Sequence, residues 1–134
     1  MIFPYLDVNR GHEVRTLPIV PVRIYGPAGY RNFVALVDSG AEQSVLSLDL
    51  INSLGLPTED ATAVDIVGVG GHTSRGYLLE VELRLTNHRW KAVAVFSDVV
   101  RSDSPMILGQ AGFFEFFNVT FRRRRLLMDI RRAR

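Results

Sequence analysis

From Leu79 to Leu85 every second residue is aliphatic (Leu79, Val81, Leu83, Leu85), and the residues between them, Glu80, Glu82 and Arg84, are charged. A period of two places the two sets on opposite faces of an extended chain. A helix would scatter them around its circumference. The stretch, running from Thr73, is therefore a half-buried antiparallel strand that needs neighbours. Those neighbours are legible as short β-rich runs at 18–25, 32–37, 62–67, 90–96, 106–108, 118–122 and 126–130. Gly26-Pro27-Ala28-Gly29 turns the first two into a hairpin, and Thr86-Asn87-His88-Arg89 is another turn.

Helical spacing is confined to two places. Leu48, Ile51 and Leu54 recur behind Ser47, an expected N-cap, and Gly55 and Pro57 stop the run, which predicts a helix over 48–54. Residues 110–117 read as a second helix carrying Phe113, Phe114, Phe116 and Phe117. Residues 1–16 lack a period, and Pro4 makes Ile2 to Leu6 an edge strand at best. With 134 residues, 47% of them hydrophobic, the chain can bury one core. The expectation is a single domain over 1–134, all-β, a closed barrel with one or two short helices.

Several chemistries are excluded by the residues themselves. There is no cysteine, hence no disulfide or thiolate site. His12, His72 and His88 are scattered beside polar or turn residues, so no metal site and no cofactor are expected. No apolar run is long enough to span a bilayer, and Met1 to Asp7 lacks a basic stretch before an apolar core, so a cytoplasmic, non-membrane protein is expected. Gly-x-Ser-x-Gly is absent. The net charge of +2 hides an asymmetry, because residues 122–134 carry seven Arg and one Asp. That segment reads as a solvated Arg-rich hairpin turn. A nucleic-acid partner is disfavoured, since exposed aromatics are not interleaved with these arginines.

The chemistry-bearing stretch is Phe33-Val34-Ala35-Leu36-Val37-Asp38-Ser39-Gly40-Ala41. The apolar run predicts a strand buried on both faces, and a carboxylate at its end is costly unless paired or hydrogen-bonded. Ser39 brings a hydroxyl, and Gly40 lets the backbone turn tightly. A second stretch, Pro105-Met106-Ile107-Leu108-Gly109, and the glycine-rich Gly68-Val69-Gly70-Gly71 between them complete a pattern. A phosphate cradle at those glycines would need a following helix; an alternating strand follows instead, which favours a hairpin tip.

Together these three stretches resemble the retropepsin-like aspartic proteases over residues 17–131. Ser39 stands where Thr is commoner in that family, and keeps the hydroxyl. The resemblance implies an acid-protease-type barrel of one lobe per chain with a glycine-rich flap hairpin. It implies an endopeptidase in which Asp38 is catalytic, supported by Ser39, Gly40, Ala41, Ile107, Leu108 and Gly109. The flap residues would be Val67, Gly68, Val69, Gly70 and Gly71, closing over an extended peptide or protein substrate. Such an enzyme works with two carboxylates sharing one proton, one activating water and the other polarising the scissile carbonyl. This chain has one Asp-Ser-Gly; Asp98-Val99-Val100 and Asp103-Ser104-Pro105 lack the glycine. A homodimer is therefore implied, with Asp38 meeting its own copy across a two-fold axis. The terminal stretch Leu126 to Ile130, with Ile2 to Leu6 as a lesser partner, is the expected dimer seam. A proteolytically silent dimeric peptide-binding or assembly domain is the alternative reading.

Overall fold

The computed structural model describes residues 1–68 and 70–134; Val69, expected at the flap tip, lies outside them. In chain order the strands are β1 (Ile2–Pro4), β2 (Leu6–Arg10), β3 (Glu13–Leu17), β4 (Ile19–Gly26), β5 (Gly29–Val37) and β6 (Val45–Ser47). After helix α1 (Asp49–Leu54) come β7 (Thr62–Val67), β8 (Thr73–Leu85), β9 (His88–Ser97), β10 (Met106–Leu108), β11 (Phe117–Arg122) and β12 (Leu127–Arg132). A 3-10 turn, Arg123–Arg125, joins the last two.

The largest sheet runs β4-β5-β10-β6-β9-β8-β7, and a further pairing of β4 with β8 closes it. Arg23 lies opposite Arg84, Ile24 opposite Leu83 and Tyr25 opposite Glu82. Six strands thus form a closed barrel with no free edge of its own, and β7 stands outside the ring. β8 connects the two parts. Its first half pairs with β7, from Val67↔Thr73 to Thr62↔Leu78, and its second half closes on β4. The alternation in β8 is the reason: Leu79, Val81, Leu83 and Leu85 are all buried, whereas Glu80 is exposed. They meet Val20, Val22, Ile24, Val37, Leu46, Phe96 and Leu108 in the core.

α1 buries Leu50 and Leu54 against the core, about 1.5–3 kcal/mol each. Gly55, at φ +61°, ends it. Its N-cap is Leu48 rather than Ser47. Ser47 Oγ still accepts the Asp49 N–H, at 3.4 Å.

Four further expectations need correction. The first concerns β5, which is buried on one face only: Ala35 and Val37 are inside, while Val34 is 41% exposed and Leu36 half-buried. Its edges are covered by β4 and β10, but only one face looks into the barrel. The second is the helix expected over 110–117, of which a single turn exists, Phe117 N–H to Phe113 O at 3.1 Å. Gly112 at φ +99° precludes helix before that turn, and from Phe117 the chain is already β11. The phenylalanines nonetheless serve the core, because Phe113 and Phe117 stack at 5.0 Å and Trp90 lies 4.9 Å from Phe117.

The third correction is at the N-terminus, where β2 and β3 form a hairpin that no period announced. The fourth concerns β12, the expected dimer seam. It is the centre of a three-stranded sheet, β1-β12-β11, with both backbone edges taken inside the chain. The sheet is pinned by the Met1 ammonium, 3.3 Å from Asp129 Oδ1 and 3.0 Å from the Ile130 carbonyl. Arg131 Nε donates to Asp129 Oδ2 at 3.1 Å. Burial alone would raise the Asp129 carboxyl; the hydrogen bonds and positive charges of Met1 and Arg131 outweigh it and hold it below its ordinary value.

Candidate active site

β5 delivers Asp38 to the point where the parallel β5–β10 ladder ends, with Leu108 opposite Val37. The Asp38 N–H continues that ladder by donating to the Leu108 carbonyl at 2.9 Å. The chain then turns within three residues, Ala41 N–H donating to Asp38 O at 3.2 Å. Inside the turn the Gly40 N–H donates to Asp38 Oδ1 at 2.9 Å. That bond fixes the orientation of the carboxylate. Among the described residues nothing donates to Oδ2, and the side chain is half-buried. The result is an oriented carboxylate with one oxygen engaged and one available.

The turn is held from below by the segment after β10. Gln110 N–H donates to Ala41 O and Ala111 N–H to Glu42 O, both at 2.8 Å, and Gln110 Nε2 reaches Ser39 O at 2.7 Å. Close approach makes Gly109 obligatory, since a Cβ there would lie 2.7 Å from the Ala41 carbonyl oxygen. Ile107 is half-buried and pairs with both Leu36 and Val45. The structure therefore brings together Asp38, Ser39, Gly40, Ala41, Ile107, Leu108 and Gly109.

One member of this arrangement was not singled out in the sequence. Ser44 is wholly buried, its Oγ accepting the Gly109 N–H at 3.0 Å and donating to Ala111 O at 2.8 Å. Its backbone N–H also reaches Ala111 O, at 3.0 Å, and its carbonyl accepts from Val95 at 2.9 Å. The available signal was a hydroxyl opening an otherwise apolar run, Ser44-Val45-Leu46. Gln110 is the second such residue, and nothing in its sequence surroundings marks it.

The flap residues lie elsewhere, at the tip of the β7–β8 hairpin. Gly68 N–H donates to His72 O at 2.8 Å and Gly71 N–H to Gly68 O at 3.1 Å. Gly70 and Gly71 adopt φ of +92° and +82°, a region closed to most side chains. Val67 is 70% exposed, so the apolar end of the hairpin faces solvent. Asp98 and Asp103, the places to look for a second acid within the chain, border a depression of about 390 Å³ that does not include Asp38. Asp103 pairs with Arg101 at 3.4 Å. No cluster of three or more metal-ligating side chains exists among the described residues.

A closed barrel of one lobe, a flap-like hairpin on β8 and an Asp-Ser-Gly turn braced by Leu108-Gly109 define the fold of a single-lobe, retropepsin-type aspartic protease. A family model described as aspartyl protease matches residues 20–111, and the chain belongs to that family. Among solved structures it resembles EIAV protease complexed with the inhibitor HBY-793, at a TM-score of 0.51 and 23% identity over 77% of this chain and 88% of that one. At that identity the likeness is one of fold. No curated protein matches.

Proposed function

We propose that the protein is an aspartic endopeptidase that acts as a homodimer. The observation that carries this is the Asp38 carboxylate, held by the Gly40 N–H on one oxygen and open on the other, in a turn braced by Leu108. One chain supplies one such turn. Two copies related by a two-fold axis would bring the open oxygens together, where like charges about 3 Å apart cannot both ionise. The ionised Asp38 would take a proton from water as the oxygen attacks the scissile carbonyl, and the protonated Asp38 would donate to that carbonyl oxygen. The β7–β8 hairpin would cover an extended peptide and exclude bulk water, its Gly68 to Gly71 tip opening and closing. Ser39, exposed beside the carboxylate, would face the partner copy.

In this reading the dimer seam would lie on the outer strands of the three-stranded sheet. β12 offers no free backbone, so the unpaired edges of β1 and β11 are what the three-stranded sheet can offer a partner. Incubating the protein with a library of unstructured peptides, alongside Asp38→Asn, tests the activity. Cleavage by the wild type and none by the variant is expected. Peptide binding without cleavage would instead favour a silent peptide-binding domain.

A further inference from the structure

Glu13, Val14, Arg15, Thr16 and Leu17 all border one depression of about 580 Å³, whose opposite wall is Arg123 and Leu126. Alternate side chains of a strand point to opposite faces. A cavity that touches five consecutive residues therefore runs along the edge of the strand, not over one face. That edge is open, because β3 pairs with β2 alone in a two-stranded sheet. Unpaired strand edges carry backbone donors and acceptors ready for another strand.

The opposite wall carries one arginine, Arg123, from a basic turn that is fixed in place. Arg122, Arg123, Arg124 and Arg125 are all exposed, and none forms an ion pair among the described residues. Their turn is closed by the Leu126 N–H on Arg123 O at 3.1 Å, with Leu126 at φ +53°. The Leu126 carbonyl accepts the Tyr5 N–H at 2.8 Å, which ties the turn to the start of β2 and hence to the hairpin that forms the other wall. The single acid in the groove, Glu13, is already paired with Arg15 at 3.2 Å. Four neighbouring positive charges without counter-charges repel one another, and an anionic partner would relieve that.

We propose that this groove binds an extended acidic peptide segment, which adds to the β3 edge as a strand and sets a carboxylate against Arg123, with the exposed Arg122, Arg124 and Arg125 supplying further positive charge beside the groove. Strand addition provides backbone hydrogen bonds, and alternate side chains reach the two walls. Arginine forks suit carboxylates, and Val14, Leu17 and Leu126 take apolar side chains between them. A nucleic acid fits less well, since among the described residues no aromatic side chain lines the groove for base stacking, and a phosphodiester chain can accept from the edge N–H groups but offers no regular donors to its carbonyls. The proposal goes beyond the catalytic reading and does not depend on it.

The test is fluorescence polarisation with the full chain, as wild type and as Asp38→Asn so that cleavage cannot intrude. The probe is a labelled short peptide alternating glutamate and valine. Controls are the same peptide with lysine for glutamate, the same peptide with alternate backbone nitrogens methylated, and a single-stranded RNA of matched charge. The glutamate peptide should bind both proteins equally. Binding should weaken at least about tenfold for Arg123→Gln/Arg124→Gln, for N-methylated probe and for the lysine peptide. The arginine variant should keep its melting temperature, because among the described residues these two side chains make no hydrogen bond or ion pair. Equal binding of the N-methylated probe would overturn strand addition, and tighter binding of RNA at physiological salt would make the surface a nucleic-acid patch. Absence of binding by the glutamate peptide would overturn the proposal outright.

Discussion

The Ser44 hydroxyl accepts the Gly109 N–H at 3.0 Å at a position from which solvent is excluded, so the Asp38 and Gly109 segments share one buried peg. Replacing Ser44 with Ala strands that N–H and frees one bond on the Ala111 carbonyl. A buried donor left unsatisfied costs about 1–3 kcal/mol. Ser44→Ala should therefore lose stability of that order in chemical denaturation, and peptide turnover should fall as the bonds from Gln110 and Ala111 to the Asp38 turn loosen. A variant with unchanged stability and turnover would show that the peg is dispensable.

Gly40 and Gly109 should respond oppositely to the same change. A Cβ on Gly109 meets backbone oxygen at 2.7 Å, and backbone on both sides cannot step aside. Gly109→Ala should cost about 1–3 kcal/mol or more, as overpacking does. A Cβ on Gly40 meets only Asp38 Oδ1, at 3.3 Å. Gly40→Ala should keep most of its stability and lose activity. Thermal denaturation and cleavage assays on the pair give the comparison, and equal loss of stability in both would contradict it.

At the flap tip, Gly70→Val and Gly71→Val force a β-branched residue towards φ near +90°, where few side chains sit. The surroundings are open, with nothing among the described residues within 4 Å of a Cβ on Gly71. The fold away from the tip should therefore tolerate the change, and turnover should fall further than melting temperature. Proportionate losses of both would mark the glycines as purely structural.

Asp129 gives a pH dependence of definite sign. Its folded-state carboxyl lies below the ordinary value of 3.8. The stability that its ionised form contributes is therefore present above that value and fades as pH falls through the lower folded one. Asp129→Asn should melt below the wild type at neutral pH, with the gap closing at strongly acid pH. A constant gap across the titration would mean that the ion pairs with Met1 and Arg131 contribute nothing.

The barrel was legible because its strands keep a period of two. β8 is the clearest case, and its length of 13 residues lets it serve both flap and closure. The β2–β3 hairpin was not legible because it is a surface hairpin with mostly exposed side chains, so Asp7, Asn9, Glu13 and Arg15 carry no burial pattern. The 110–117 segment misled for the opposite reason. Its phenylalanines are spaced as a helix would space them, yet Phe117 is placed by Trp90 and Phe113 at the head of β11. Tertiary packing overrides local spacing there. In the site, Asp38 and Gly109 were visible as motif residues. Ser44 and Gln110 act through bonds to backbone atoms distant in sequence, and such bonds leave no local pattern.

The central claim is that each active unit needs the Asp38 of two chains. Wild type and Asp38→Asn are mixed in equal amounts, given time to exchange subunits, and assayed at constant total protein. If both carboxylates are required and chains pair at random, only about a quarter of the dimers are competent. Activity should then fall to about one quarter of that of the undiluted wild type, and should fall again on dilution as dimers dissociate. Activity that stays at one half, independent of total concentration, would mean that each chain works alone, and would contradict the shared pair.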